Sequence, residues 1–313
     1  MDNFTALADV SDPSKLLAAA AECKAQPWSP EVGTGKTIGM LFFNPSLRTR
    51  MSTQKAAANL GMNTIVMNAS SDGWVLEMED GSVMDGAAQE HIKDAVHVMS
   101  QYCDVLAVRT FATLSDREAD YQEAILSQFL RHAEVPVVSL ESAIRHPLQS
   151  LADMLTIQEK GIKKPKIAVS WAPHPRALPQ AVTNSFLEWS QLLDAEVVLT
   201  HPEGYDLHPE FAQHADKVTH DQEEAMAGAD FVYVKNWSPY QQYGQVLPVD
   251  KNWTITEEKM GLTKQGNFMH CLPLRRNVVA SDAVVDASVV YEQAKNRIFS
   301  AQAVLKTLLT ENH

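Results

Sequence analysis

At 313 residues, 45% hydrophobic and 21% charged, the chain is long for a single core and is expected to form two domains. A net charge of −13 excludes nucleic acid or an anionic membrane as the main partner, since phosphate surfaces demand a basic face. Cys23, Cys103 and Cys271 have neither metal-ligand spacing nor a pairing framework, as expected of a reduced cytoplasmic chain.

The opening "MDNFTALADVSDPSK" lacks the pattern of a signal peptide, and no run reaches transmembrane length. "SDPSKLLAAAAECKAQ" reads as a helix with Ser11 or Asp12 at its N-cap and Pro13 just inside. "GTGKT" (Gly33 to Thr37) fails as a phosphate loop, because Pro30 stands where that motif needs glycine and the stretch precedes a strand. The strand is "TIGMLFF", and "FNPSLRTR" then leads into the helix "MSTQKAAANLGM". Arg48 and Arg50 thus fall in a first helical turn, where unpaired N–H groups already make the field positive and an anion is called for.

Strand-like and helical runs alternate from there: "NTIVMN", "HIKDAVHVMSQYC", "DVLAVRTF", "READYQEAILSQFLRHA" and "VPVVSL". The helix "PLQSLADMLTIQEKGIKK" bridges to a second series, "KIAVSW", "LPQAVTNSFLEWSQLLD", "EVVLTHP", "DFVYVKN" and "GNFMHCL", and the helix "AQAVLKTLLTEN" ends the chain. This order predicts an α/β protein of two doubly wound parallel-sheet domains. No strand leads into G-x-G-x-x-G, so no dinucleotide cofactor is expected. His201, His208, His214 and His220 lack metal-ligand spacing and read as a solvated surface, so no metal is expected either.

Polar residues gather where strands end: Ser46 and Arg48, Arg109, Glu141 and His146, His174, Lys235, and His270 with Cys271. Ligands of open α/β sheets bind beyond the carboxyl ends of strands, so a cleft between the two domains is expected. Three motifs there are equivocal singly. "SLRTR" offers a hydroxyl, N–H groups and a guanidinium fork to a phosphate, or is a surface arginine pair. "RHPLQ" (Arg145 to Gln149) puts an imidazole and an amide at a helix start, or is a turn; "MHCLPLRR" (Met269 to Arg276) could be a capped loop.

In this order the three resemble S-x-R-T, H-P-x-Q and H-C-L-P of the aspartate/ornithine carbamoyltransferase family, and "NRIFSAQ" is similar to its E-N-R-x-H-A-Q. The resemblance implies that Ser46, Arg48, Thr49 and the Leu47 N–H hold the phosphate of carbamoyl phosphate. Arg109 would bridge phosphate and carbamoyl oxygen, with Thr49 and His146 also donating to that oxygen. Gln149 and the Leu272 carbonyl would fix the carbamoyl NH₂, and Arg297 would touch the carbamoyl end. Cys271 is carried over with the catalytic motif, and Arg50 is expected to brace it. It further implies a carbamoyl phosphate domain of residues 1–146 with a returning C-terminal helix of about 296–313, and an amine-binding domain of 147–295. No cofactor is implied.

Ornithine enzymes of the family carry D-x-W-x-S-M-G after a late strand, whereas Lys235-Asn236-Trp237-Ser238-Pro239 stands here. A lysine repels a free α-ammonium and welcomes an acylated α-nitrogen beside carboxylates. "DGWVLEMEDGSVMDG", "WAPHPRALPQAVTNSFLEW" and "HPEGYDL" resemble the acylornithine branch. That branch implies a homotrimer in which Trp74 reaches the neighbouring subunit's carbamoyl phosphate site, and a trefoil knot around Pro173 to Pro179. Glu141, His174, Arg176, Lys235 and Arg275 are the expected acylornithine side, although His174 and Arg176 could instead only pin their loop. Gln89 replaces a glutamate of the acetyl enzymes that would oppose a second carboxylate, and their lysine near Gln302 is absent. Both departures favour N-succinyl-L-ornithine as the second substrate, in arginine biosynthesis. The alternatives are an N-acetylornithine or ornithine enzyme, or a non-enzymatic anion-binding regulator on the same fold.

Overall fold

The computed structural model describes residues 1–69, 71–249 and 252–311. It divides into two compact units. The first comprises Met1–Ala112, Glu118–Leu148 and the residues from Arg297 on; the second comprises Thr113–Arg117 and Gln149–Asn296.

In the first unit α1 (Pro13–Ala25) begins where the Asp12 carboxylate accepts the Lys15 N–H, with Pro13 at the first helical position. Then follow β1 (Thr37–Phe42), α2 (Arg48–Asn59) and β2 (Asn63–Asn68). Two short strands, β3 (Leu76–Glu77) and β4 (Glu90–His91), pair with each other in parallel. Next come α3 (Ile92–Tyr102), β5 (Val105–Arg109), α4 (Arg117–Tyr121), α5 (Ala124–His132) and β6 (Val137–Glu141). The main sheet is parallel in the order β2-β1-β5-β6. β5 and β6 are buried along their whole length, so they read as continuous apolar runs. Leu41, Leu106, Val108 and Val137 pack with Ile92 and Val96 of α3 and Phe129 of α5. Each such side chain contributes about 1.5–3 kcal/mol by leaving water.

The second unit begins within α6 (Pro147–Glu159) and continues through β7 (Lys166–Trp171), α7 (Ala181–Ser190), β8 (Glu196–Thr200) and α8 (Pro209–Ala212). β9 (Lys217–Thr219), α9 (Gln222–Met226), β10 (Phe231–Lys235), α10 (Glu257–Met260), β11 (Asn267–Met269) and α11 (Asp282–Asp286) complete it. α12 (Val290–Glu311) starts here and passes into the first unit at Arg297. The sheet is parallel in the order β11-β10-β7-β8-β9, and Ala168, Val232 and Phe268 pack with Met226, Val284 and Val285.

Several expectations need correction. "READYQEAILSQFLRHA" is two helices, α4 and α5, because Glu123 takes a left-handed conformation (φ 50°) between them. The last helix begins at Val290 rather than Ala301, so "NRIFSAQ" is helical; Asn312 lies outside the described residues. β3, β4 and β9 are too short to announce themselves in sequence. His201 is not on a solvated surface but 1% exposed, its ring edge-on to His220 and Trp237. "GTGKT" serves packing: a Cβ on Gly33 would lie 2.7 Å from the Leu60 carbonyl oxygen at the end of α2. Among the described residues no helix is long and apolar enough to cross a membrane.

Candidate active site

In the first unit β1 lies between β2 and β5, so the chain leaves its carboxyl end at the point where strand order reverses. Phe42 and Arg109 are register partners there. The "FNPSLRTR" turn follows β1 directly, and the Ser46 hydroxyl accepts the Thr49 N–H at 3.3 Å at the start of α2. Thr49 is buried, and its Oγ1 accepts a 2.6 Å hydrogen bond from Arg297 Nη2 on α12. Arg48 is half-buried on the first turn. Arg50 turns away from it, donating to the side-chain amide oxygen of Asn68 and lying 4.5 Å from the Phe42 ring centre.

At the end of β5 the register with β6 slips between Val108 and Arg109, so Arg109 faces Glu141. Arg109 Nη1 donates to Glu141 Oε2, and His146 Nε2 lies 3.5 Å from the same oxygen. All three side chains are buried: Arg109 and Glu141 are 7% exposed and His146 3%. The Arg109 Nε is buried without a hydrogen-bond partner, a donor the fold leaves unused. Glu141, expected on the amine side, thus holds the guanidinium and the imidazole in place within the first unit.

Trp74 and Gln89 lie just before β3 and β4, which bring their chain segments side by side at the surface. The Gln89 N–H donates to the Val75 carbonyl at 3.1 Å, and Trp74 Nε1 donates to Glu90 Oε2 at 2.8 Å. Both are exposed, Trp74 by 52%, an unusual position for an indole. Leu47, at the N-cap of α2, is also exposed.

In the second unit strand order reverses between β7 and β10; His174 and Arg176 lie in the loop after β7, Lys235 at the end of β10 and Arg275 beyond β11. Side chains lock the loops after β7 and β10 together. Asn236 Nδ2 donates to the Ala172 carbonyl at 2.7 Å, Trp171 Nε1 to that of Trp237 at 3.0 Å, and Gln180 Nε2 to that of Ser238 at 2.8 Å. Lys235 closes β10, paired with Trp171. His174 Nε2 accepts from Arg275 Nε at 3.1 Å, and its Nδ1 meets both the Arg176 carbonyl at 2.9 Å and the Arg176 N–H at 3.1 Å. Burial holds the His174 pKa below its usual 6.5, aided by the charges of Lys235, Arg275 and Arg176 and opposed by the Arg176 carbonyl. A neutral imidazole therefore sits among three cations, and among the described residues none of those cations has a carboxylate within 4.0 Å. Arg276 differs from its neighbour Arg275: its two Nη atoms bond Asp282 and Asp286, which fastens the loop to α11.

Gln149 lies in the first turn of α6, fully buried, with Nε2 bonded to Asp153 at 2.7 Å and Oε1 lacking a partner. After β11, Cys271 is a buried thiol outside any disulfide. The Leu272 N–H donates to His270 Nδ1 at 2.8 Å, and Leu272 itself is left-handed (φ 55°), turning the chain out of the sheet. Gln302, buried on α12, bonds Asn59 and the Pro27 carbonyl, a tie from α12 to the far end of α2. Among the described residues no group of three or more His, Cys, Asp and Glu side chains could hold a metal ion. Asp153, Gln293 and Arg276 escaped sequence reasoning. The signal for Asp153 was its place one helical turn after Gln149.

Family models match in two stretches. Residues 3–159 match the aspartate/ornithine carbamoyltransferase carbamoyl-P binding domain, and residues 179–308 match the Asp/Orn binding domain of the same family. An N-succinylornithine carbamoyltransferase of Bacteroides fragilis (strain 638R) is 50% identical over 315 residues, covering 99% of either chain. An N-acetylornithine carbamoyltransferase of Xanthomonas axonopodis pv. citri (strain 306) is 35% identical over 319 residues, covering 95% of this chain and 92% of its own. A solved structure of an N-acetyl-L-ornithine transcarbamylase mutant complexed with carbamyl phosphate and N-succinyl-L-norvaline is similar with a TM-score of 0.91. It is 34% identical and covers 98% of this chain and 100% of that one.

Proposed function

The chain belongs to the aspartate/ornithine carbamoyltransferase family, and from that premise we propose that it carbamoylates the δ-amine of N-succinyl-L-ornithine. The products are N-succinyl-L-citrulline and phosphate. Half-identity over the full length to a relative of that activity supports the reading. One observation carries it: Arg176, Lys235 and Arg275 lie around His174, and among the described residues none of the three has a carboxylate partner. Free ornithine would bring its α-ammonium to that cluster. N-succinylornithine has none, and brings two carboxylates.

The phosphate of carbamoyl phosphate takes Ser46, the Leu47 N–H, Arg48, Thr49 and Arg109, at a helix start that already favours an anion. Thr49, Arg109, His146 and Arg297 donate toward the carbamoyl oxygen, and Gln149 with the Leu272 carbonyl accepts from the NH₂. As the δ-amine attacks, the new C–N bond forms and charge gathers on that oxygen, where fixed donors are worth most. The C–O bond to phosphate then breaks, the electron pair leaves with phosphate, and the amine's surplus proton passes to it. Cys271 lines the turn that presents Leu272. His174, Arg176, Lys235 and Arg275 serve the acylornithine, while Glu141 holds Arg109 and His146 on the carbamoyl phosphate side. The carbamoyl phosphate domain is residues 1–146 completed by about 296–313, and the acylornithine domain 147–295.

The working assembly in this reading is a cytoplasmic homotrimer of arginine biosynthesis. Each Trp74, with Gln89 beside it, enters a neighbour's site, and the chain around Pro173 to Pro179 is knotted. The exposure of Trp74 supports the exchange, since it finds no core of its own. The test is a citrulline-forming assay with ornithine, N-acetylornithine and N-succinylornithine at equal concentration. N-succinylornithine is expected to be preferred. Preference for ornithine would overturn the role of Lys235, and preference for the acetyl substrate that of Gln89.

A further inference from the structure

Beneath Gln149 lies a buried network that the reaction does not touch. Asp153 is 0% exposed, and its Oδ1 accepts both Gln149 Nε2 and Gln293 Nε2, each at 2.7 Å. Tyr233 Oη donates to Oδ2 at 2.8 Å, and the Tyr233 ring stacks on Phe186 at 3.9 Å. Gln293 Oε1 accepts the His270 N–H at 2.9 Å, and His270 Nδ1 in turn accepts the Leu272 N–H.

An amide can present either its oxygen or its NH₂ to a site, and the two faces have nearly the same shape. A carboxylate removes the choice. It accepts and does not donate, so Gln149 and Gln293 must both turn their NH₂ groups toward Asp153. Gln149 Oε1 is thereby left facing the other way, buried and without a partner. Gln293, oriented by the same carboxylate, has only its oxygen for the His270 N–H, and that contact anchors the turn carrying the Leu272 carbonyl. A single side chain thus sets the polarity of one acceptor and, two hydrogen bonds on, the place of another.

We infer that Asp153 is a positioning residue that makes the site read an NH₂ group, so that carbamoyl phosphate is selected over acyl phosphates bearing a methyl in its place. This rests on the proposed contact of Gln149 with the carbamoyl NH₂. An unsatisfied buried acceptor is costly, and a ligand that supplies two N–H donors relieves it where a methyl cannot. With asparagine at 153, a donor stands beside the acceptor. Gln149 can then turn over, bringing its NH₂ against the NH₂ of the ligand.

The test is calorimetric titration of the full chain with carbamoyl phosphate, acetyl phosphate and inorganic phosphate. In Asp153→Asn the preference for carbamoyl over acetyl phosphate is expected to shrink about tenfold, the scale of one lost charge-assisted contact, with phosphate affinity kept. Tyr233→Phe removes one donor from Asp153 at constant volume and is expected to shrink the preference in the same direction by about twofold to threefold; it decides the matter if Asp153→Asn does not fold. A preference unchanged in the folded variants, or a parallel loss for all three ligands, overturns the inference. Gln149→Ala separates it from the reading beneath it. If that variant loses the preference and the others keep it, Asp153 has no such role; if Gln149→Ala keeps it, the Gln149 contact itself is wrong.

Discussion

Glu141→Gln probes the donor cluster with two effects of opposite sign. Glu141 bonds Arg109 and approaches His146 in a setting only 7% exposed, so solvent screens it little. Removing one partner of a buried ion pair costs about 3–5 kcal/mol, and glutamine, which still offers an acceptor, reduces the expected loss of stability to roughly 2–3 kcal/mol. Phosphate binding should move the other way. If Glu141 and phosphate share the edges of one guanidinium at roughly 6–7 Å, an effective dielectric near 20 makes their repulsion about 2.5 kcal/mol per unit charge. Even if less than half of this survives in a wetted site, about 1 kcal/mol remains, or roughly fivefold in affinity. Urea denaturation reads the first effect and titration with inorganic phosphate the second. A variant that is less stable and also binds phosphate more weakly would refute the reasoning, because Glu141 would then be shaping the site rather than competing for Arg109.

Lys235→Met should lower kcat/KM for N-succinylornithine by about tenfold or more while carbamoyl phosphate affinity holds, as steady-state kinetics would show. Gln89→Glu should cut the ratio of succinyl to acetyl kcat/KM by about tenfold, since it sets a carboxylate against a carboxylate. His174, depressed below 6.5 by burial, stays neutral in the folded protein while the unfolded chain protonates first. Its contribution to stability is therefore complete above about pH 6.5 and declines as pH falls below it. Denaturant titrations at pH 7.5 and 5.5 should show wild type losing more stability than His174→Gln. At Gly244, φ is +73° and an added Cβ would lie 1.9 Å from the Leu114 carbonyl oxygen. Gly244→Ala should cost more than about 2 kcal/mol in the same assay.

Much of this was legible because its signals are local. Apolar runs of strand length separated by amphipathic stretches announce parallel sheets, and the helix start at "SLRTR" needs only neighbouring residues to set its field. Side chains whose partners lie far along the chain were not legible. The resemblance marks Arg297 as a site residue, but its bond to Thr49, 248 residues earlier, exists only once α12 is in place. Glu141 reads as a substrate residue until a register slip turns Arg109 onto it. The two arginines of "LRR" look alike in sequence, yet only Arg276 finds Asp282 and Asp286. Backbone periodicity and motif order are properties of short segments, and the sequence alone determined the longer elements, their parallel arrangement and the anion-seeking turns. Which donor faces which acceptor depends on contacts closed by folding, and there only the tertiary structure decided.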